Sequence, residues 1–234
     1  MATERGTALD LGAGAMPIPS TDFHFHVSKT TRRHLGWILI TLSVGSCGTS
    51  PTSPSSNEVC AGFADWQTSA YLLPYSVGSS YLVDQGNCSA PGNGHRGVRR
   101  FGYDFLMPIG TNVTAARAGT VIHVEESHFD GQIAASGFDN FAVLRHADGT
   151  TALYGHFTHQ GVIVNVGDTV EQGALVGHSG NTGNTANKPT LHLSIQSCDP
   201  VSLGTDACAT LPMNFRNTDP NPTGLAVGRR YVAS

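Results

Sequence analysis

The stretch that decides the fold is Pro189-Thr190-Leu191-His192-Leu193-Ser194-Ile195-Gln196. Its large aliphatic residues alternate with polar ones from end to end. Because neighbouring side chains of a β-strand point to opposite faces, this pattern predicts a half-buried strand. Thr190 and His192 would lie together on its open face, where a histidine is a candidate ligand or catalytic group.

Two segments upstream repeat this arrangement. In Phe101-Gly102-Tyr103-Asp104-Phe105, Asp104 points away from its aromatic neighbours. In Leu153-Tyr154-Gly155-His156-Phe157, the same alternation places Tyr154 and His156 together on one face. Polar residues of metal-ligand type on the open face of a sheet indicate a site.

Composition favours a single all-β domain. The 234 residues are 39% hydrophobic, which is enough for one substantial core. With 28 glycines, 12 prolines and only 13% charged residues, the chain suits many short strands joined by turns. We therefore expect an all-β fold with long loops and little helix. The net charge of −4 argues against nucleic acid as a partner.

The strands and the loop that edges the groove can be placed approximately. Strands are expected at 101–107, 112–117, 120–126, 140–146, 150–158, 161–166, 174–178 and 190–197. Asp148-Gly149 and Gly167-Asp168 supply turn chemistry between them. Residues 127–139 form a polar loop of the length that often edges a substrate groove.

The beginning of the chain is typical of an export signal. Lys29-Thr30-Thr31-Arg32-Arg33 precedes an apolar run at 35–44, which is too short to cross a bilayer core of ~30 Å as a helix. Val44-Gly45-Ser46-Cys47 resembles a bacterial lipobox, which implies a lipid anchor on Cys47 and a place in the bacterial cell envelope, periplasmic or extracellular. An ordinary cleaved signal or an uncleaved anchor is the alternative.

These features divide the chain into five expected segments. They are an export leader at 1–46, a Ser/Pro-rich tether at 47–59, an N-terminal flank of short strands at 60–90, a main domain at 91–197, and a C-terminal disulfide loop and tail at 198–234.

The cysteines agree with export. Apart from Cys47, the chain has Cys60, Cys88, Cys198 and Cys208, an even set that allows three disulfide connectivities. Pairing between sequence neighbours favours Cys60 with Cys88 and Cys198 with Cys208. Zinc binding by thiolates is the competing interpretation, but no Cys-x-x-Cys occurs and the spacings are irregular.

Further motifs occur in a fixed order around the strands. They are Asp104-Phe105-Leu106-Met107-Pro108-Ile109-Gly110, Ala115-Ala116-Arg117-Ala118-Gly119, Val166-Gly167-Asp168-Thr169-Val170 and Ser179-Gly180-Asn181-Thr182-Gly183. Together with the His192 strand they resemble the lysostaphin/LytM-type zinc metallopeptidases, which have the duplicated hybrid motif fold, over about residues 75–197. The resemblance implies antiparallel sheets in an open barrel or sandwich with a groove. The resemblance implies an endopeptidase that uses Zn²⁺ to hydrolyse peptide bonds, above all in peptidoglycan.

The resemblance also implies a set of zinc ligands. In the family a histidine, an aspartate and the last histidine of a His-x-His strand hold the metal, and Asp104 and His192 match the latter two. The usual spacing would place the first histidine at Arg100, a side chain that stays protonated and cannot ligate. His95 is the candidate in its place. A solvated loop histidine is the alternative for His95.

Three residues match the family's catalytic positions. His156 corresponds to the catalytic histidine of a Tyr-x-His motif, which polarises the attacking water or stabilises the oxyanion. Tyr154 would orient His156 or donate to substrate, although such a pair could also simply pack in the sheet. Thr190 stands where the family has a second catalytic histidine, and a threonine hydroxyl cannot serve as a base near pH 7. Zinc binding could therefore survive while turnover is slow or absent.

Two functional classes stay open on this reasoning. The first is an exported, lipid-anchored zinc endopeptidase that acts on peptidoglycan peptides or another peptide substrate. The second is a weakened or inactive relative that binds the cell wall or regulates another hydrolase.

A third class is disfavoured. Residues 166–173 also resemble a biotinyl or sugar-phosphotransfer carrier domain, but Lys188 is the only lysine after Lys29. His159 and His178 could compensate for Thr190 but are more typical of surface histidines, and Asn140 is a lesser candidate for the groove. Sequence leaves the scissile bond and the oligomeric state open.

Overall fold

The predicted His192 strand lies at the centre of a large antiparallel sheet. The computed structural model describes residues 60–88, 95–132, 137–200 and 208–234. In it, β10 (Thr190–Gln196) pairs with β2 (Gly102–Leu106) on one side and with β6 (Thr151–Gly155) on the other. Leu191, Leu193 and Ile195 are buried in the main hydrophobic core, as their alternation predicts.

The large sheet has nine strands among the described residues. Besides β2, β6 and β10 it contains β1 (Ser80–Gln85), β4 (Gly119–Glu125), β5 (Phe141–Arg145), β8 (Thr169–Val170), β11 (Thr210–Leu211) and β12 (Arg230–Val232). Their order is β12-β1-β2-β10-β6-β5-β4-β8, and β11 pairs with the end of β10. The strand pairs of this sheet are all antiparallel in the described ranges.

A second, smaller sheet packs against the same core. It is formed by β3 (Asn112–Thr114), β9 (Leu175–Ser179) and β7 (Phe157–Val162), in that order. Val113, Phe157 and Val176 from this sheet join Tyr154 and Leu193 from the large sheet in one hydrophobic cluster. Helical structure in the described ranges is limited to the 3₁₀ turns Trp66–Thr68 and Gly97–Arg99, so the predicted all-β fold with little helix is confirmed.

The predicted strand at 150–158 is two strands rather than one. His156 has φ of 66°, a left-handed conformation that interrupts the strand, so β6 belongs to the large sheet and β7 to the small one. The strand predicted at 161–166 is wrong beyond Val162. A turn replaces it, in which Asp168 Oδ2 accepts a hydrogen bond from Asn165 N at 2.8 Å.

The predicted flank and tail both contribute to the large sheet. The flank supplies β1, and the tail supplies β11 and β12, which pair with β10 and β1. Cys60 is joined to Cys88 and Cys198 to Cys208, which confirms the favoured connectivity. The leader and the tether, with Cys47, lie outside the described residues. In the part of the chain that is described, no helix has the length and apolar character needed to cross a membrane.

Candidate metal centre

The pairing of β2 with β10 brings two of the predicted ligands together. Asp104 and His192 are direct cross-strand partners, so both side chains point to the open face of the sheet. His192 Nδ1 lies 2.8 Å from Asp104 Oδ1. The alternation that buries Leu191 and Leu193 therefore also presents His192 to Asp104.

His95 completes the cluster. It lies just before the 3₁₀ turn at Gly97–Arg99, and its Nε2 is 3.5 Å from Asp104 Oδ1. Its ring meets the His192 ring edge to face, with 4.8 Å between the centroids. One ligand atom from each of His95, Asp104 and His192 lies within 4.8 Å of the others. The structure thus brings the three predicted ligands to one place.

Gly102 makes room for this cluster, and sequence reasoning did not single it out. A Cβ at Gly102 would lie 2.9 Å from His192 Cε1 and 3.0 Å from His95 Nδ1. Both contacts are closer than a Cβ atom tolerates, so any side chain here would displace the two imidazoles. A glycine inside a predicted strand, two residues before an aspartate, was the available signal.

The charges of the cluster are strongly coupled. Burial would raise the pKa of Asp104, but His95 and His192 outweigh it and hold that pKa well below its usual range. Burial lowers the pKa of His192, although its hydrogen bond to Asp104 opposes the change. For His95, burial also acts to lower the pKa, but the Asp104 carboxylate prevails and the pKa is raised. Asp104 is therefore ionised near neutral pH and can offer a carboxylate oxygen to a metal ion.

This donor set fits a zinc ion. Two imidazole nitrogens and one carboxylate oxygen are ligands that Zn²⁺ prefers, and three protein ligands leave a position open for catalysis. Ser194 supports the set, since its Oγ lies 3.2 Å from His192 Nε2 and also accepts a hydrogen bond from Gln196 Nε2 at 3.2 Å. Such a partner fixes the ring orientation of a ligating histidine.

His156 lies beside the cluster, at the corner where the chain leaves the large sheet. Its ring centroid is 6.2 Å from that of His192, and the rings meet edge to face. His156 Nδ1 donates a hydrogen bond to Thr182 O at 2.8 Å, because a carbonyl oxygen can only accept. Nε2 is consequently the ring nitrogen left for water or substrate.

Part of the chain matches a known family. Residues 98–203 match the family described as peptidase family M23. This part is an M23 peptidase domain. The match includes Gly102, Asp104, His156 and His192, whereas His95 precedes it.

Two curated relatives align with this M23 domain. The peptidoglycan DD-endopeptidase ShyA of Vibrio cholerae is 32% identical over 94 residues, which are 40% of this chain and 19% of the relative. Lysostaphin of Staphylococcus simulans is 33% identical over 122 residues, which are 52% of this chain and 22% of lysostaphin. The chain thus spans only about a fifth of the length of either relative.

Solved structures of M23 proteins are also similar. The catalytic domain of the prophage-encoded M23 protein EnpA from Enterococcus faecalis gives a TM-score of 0.43 with 24% identity, over 60% of this chain and 94% of that domain. The M23 peptidases are zinc-dependent, which agrees with the His/Asp/His cluster of this chain.

Tyr154 is not part of the site in the M23 domain. The prediction that Tyr154 and His156 share one face is wrong, because the left-handed backbone at His156 ends the alternation of β6. Tyr154 is fully buried in the main core, opposite Leu193 in the register. Its hydroxyl accepts a hydrogen bond from Ala116 N at 2.8 Å, so it ties the sheet to the segment after β3.

Thr190 and Asn140 have structural partners in the described part of the M23 domain. Thr190 Oγ1 donates to Phe105 O at 3.0 Å, which engages the only proton of its hydroxyl. Asn140 is fully buried rather than facing a groove, and its side chain bonds His128 N and O at 2.9 and 2.8 Å. The ring of His159 stacks on Phe129 with 3.9 Å between centroids. None of these contacts supplies a second imidazole at the position of Thr190.

Proposed function

We propose that this protein is an exported zinc metalloendopeptidase that hydrolyses peptide bonds in peptidoglycan. The observation that carries the proposal is the cluster of His95, Asp104 and His192, with His156 beside it, in an M23 domain. A sheet face without a function would not be expected to carry three side chains of metal-ligand type next to a glycine, Gly102, that leaves space for two of them.

The ligands would act as follows. His95, Asp104 and His192 hold Zn²⁺, and Gly102 and Ser194 keep the two imidazoles in place. When bound, the metal would supply a Lewis acid for the scissile carbonyl and make a water acidic enough to attack near neutral pH.

His156 would carry the proton in this reaction. Because its Nδ1 proton is directed at Thr182 O, the lone pair of Nε2 is available as an acceptor. A histidine in this state can take a proton from the attacking water and return it to the leaving amine. The His156 and His192 ring centroids are 6.2 Å apart, so His156 lies directly beside the proposed zinc site.

The substrate class and the location are inferred from relatives and from cysteine chemistry. ShyA, at 32% identity over the aligned part, is named as a peptidoglycan DD-endopeptidase. Two disulfides in one chain are typical of an oxidising compartment. We further propose that Cys47 carries the lipid anchor, so that the M23 domain works in the bacterial cell envelope.

One observation favours the second candidate, a weakened or inactive relative that binds the wall or regulates another hydrolase. Thr190 replaces an acid/base histidine, and its hydroxyl is engaged by Phe105 O. Loss of one general acid/base group commonly costs about 10²- to 10⁴-fold in rate. The peptidase requires bound metal and turnover, whereas the binding or regulatory relative requires no turnover.

The test combines metal analysis with a cleavage assay on the purified protein. We expect about one zinc per chain by elemental analysis, loss of that zinc in His95→Ala, and slow release of peptides from purified peptidoglycan. Zinc without any cleavage, even after long incubation, would support the binding or regulatory role. Absence of metal after zinc is supplied would contradict the peptidase and would favour a binding or regulatory domain.

A further inference from the structure

The M23 domain contains a buried carboxylate whose role the metal cluster does not explain. Asp139 lies just before β5 with 4% of its surface exposed. Its Oδ2 accepts a hydrogen bond from Gly137 N at 3.5 Å, but Oδ1 makes no hydrogen bond of good geometry to the described residues. A buried charged oxygen without a donor costs free energy, so another group must compensate for it.

The loop after β9 is shaped around this carboxylate. Gly183 has φ of +72°, and a Cβ added to it would overlap Asp139 Oδ1. Its neighbour Thr182 provides the carbonyl that accepts the His156 hydrogen bond and also ties down the backbone of Asn140 through its hydroxyl, at 3.0 Å. Two separate loops therefore converge on the space between Asp139 and His156.

The group that faces Asp139 Oδ1 is the ring of His156. His156 Nδ1 lies 3.3 Å from Asp139 Oδ1, and the two side chains are only 6% and 3% exposed. Burial would raise the pKa of Asp139, but His156, together with the backbone N–H groups of Gly137 and Asn184, outweighs burial and lowers it. Two oxygens, Thr182 O and Asp139 Oδ1, thus flank a single ring nitrogen.

We propose that Asp139 is a positioning residue that, with Thr182 O, holds His156 as the Nδ1–H tautomer and keeps Nε2 as the proton acceptor. This inference rests on the proposed peptidase function for its catalytic meaning. It deepens that function for a simple reason. Because Thr190 stands at the second catalytic position, His156 is the one imidazole that the described site contains besides the proposed ligands His95 and His192.

The proton balance of the step is simple. As the water oxygen bonds to the scissile carbonyl carbon, its proton moves to His156 Nε2, and the ring then carries a positive charge beside Asp139. When the C–N bond breaks, that proton moves from Nε2 to the leaving nitrogen. The carboxylate does not take up a proton, since its part is to orient the ring and to balance its charge, as in other carboxylate–histidine pairs.

A double-mutant cycle on the full chain tests this role. Removing a partner that orients a catalytic or ligating side chain typically costs about 10- to 100-fold. We expect Asp139→Asn to lower kcat by about that factor, with KM and zinc content little changed. In the His156→Ala background the same substitution should have no further effect. An equal loss in both backgrounds, or no loss in the first, would overturn the proposal.

A second measurement does not depend on activity. Nitrogen-15 NMR of the ring should show neutral His156 mainly as the Nδ1–H tautomer in the wild type, and a mixture of tautomers in Asp139→Ala. A mainly Nε2–H ring in the wild type, or equal populations in both proteins, would refute the inference even if the protein hydrolyses nothing. Asp199→Asn, at an exposed ion pair with Arg145, is the matched control and should change neither readout.

Discussion

The cluster of His95, Asp104 and His192 adjoins His156, but the two are held in different ways. Asp104 and His192 are fixed by the register of two central strands whose other faces are in the core. His156 is instead fixed at a break between the two sheets, by contacts from loops around Asp139 and Thr182. Metal binding and proton transfer therefore depend on separate sets of contacts. A substitution can alter one of these two properties while the other persists.

The largest effect is expected when a proposed ligand on a central strand is removed. His192→Ala leaves the alternating leucines in place but removes one of only three ligands. We expect zinc affinity to fall by more than the ~10- to 100-fold typical of outer-shell changes, so that purified protein retains no zinc. His178→Ala, on β9 in the small sheet, is the control and should retain it. Unchanged zinc content in His192→Ala would remove His192 from the ligand set.

A change on β10 two residues before His192 should do the opposite. Thr190→His restores an imidazole at the family's second catalytic position, and we expect hydrolysis to rise by as much as about 10²-fold while zinc content stays the same. The substitution also removes the Thr190 to Phe105 hydrogen bond, which costs about 1 kcal/mol of stability. Thr190→Val separates these effects, since it loses the hydroxyl without gaining an imidazole. Lower zinc content in Thr190→His would show that the second catalytic position and the three proposed ligands are not independent.

The two regions also differ in how far sequence could predict them. The alternation around His192 predicted a half-buried strand, and family resemblance predicted its partner Asp104. The face of Tyr154 was predicted wrongly, because nothing in a local window signals that the next residue but one is left-handed. Asp139 could not have been found, since its contact with His156 joins a loop to a strand break and follows no period.

Filling the space at Gly102 tests how tightly the strands hold the cluster. A Cβ there meets both imidazoles at 2.9 to 3.0 Å, so Gly102→Ala must push at least one ring out of position. We expect zinc affinity to fall by about 10- to 100-fold, as for other changes that misorient a ligand. Circular dichroism and the Tm of the metal-free protein should be nearly unchanged. Wild-type affinity in this variant would mean that the rings can move without penalty.

The smallest effect on zinc affinity is expected at Ser194. This residue lies on β10 with His192 and contacts the ring of that histidine. Metal binding at His192 Nδ1 requires the proton to be on Nε2, and Ser194 Oγ, 3.2 Å away, can accept that proton in a hydrogen bond. Ser194→Ala removes this acceptor, so zinc affinity should fall by about 10-fold, measured by competition with a chelator. The tautomer of His156 should stay the same by NMR, because Ser194 touches none of the groups around its Nδ1. If the His156 tautomer changed, the contacts that hold His192 on its strand and those that hold His156 between its loops would form one network.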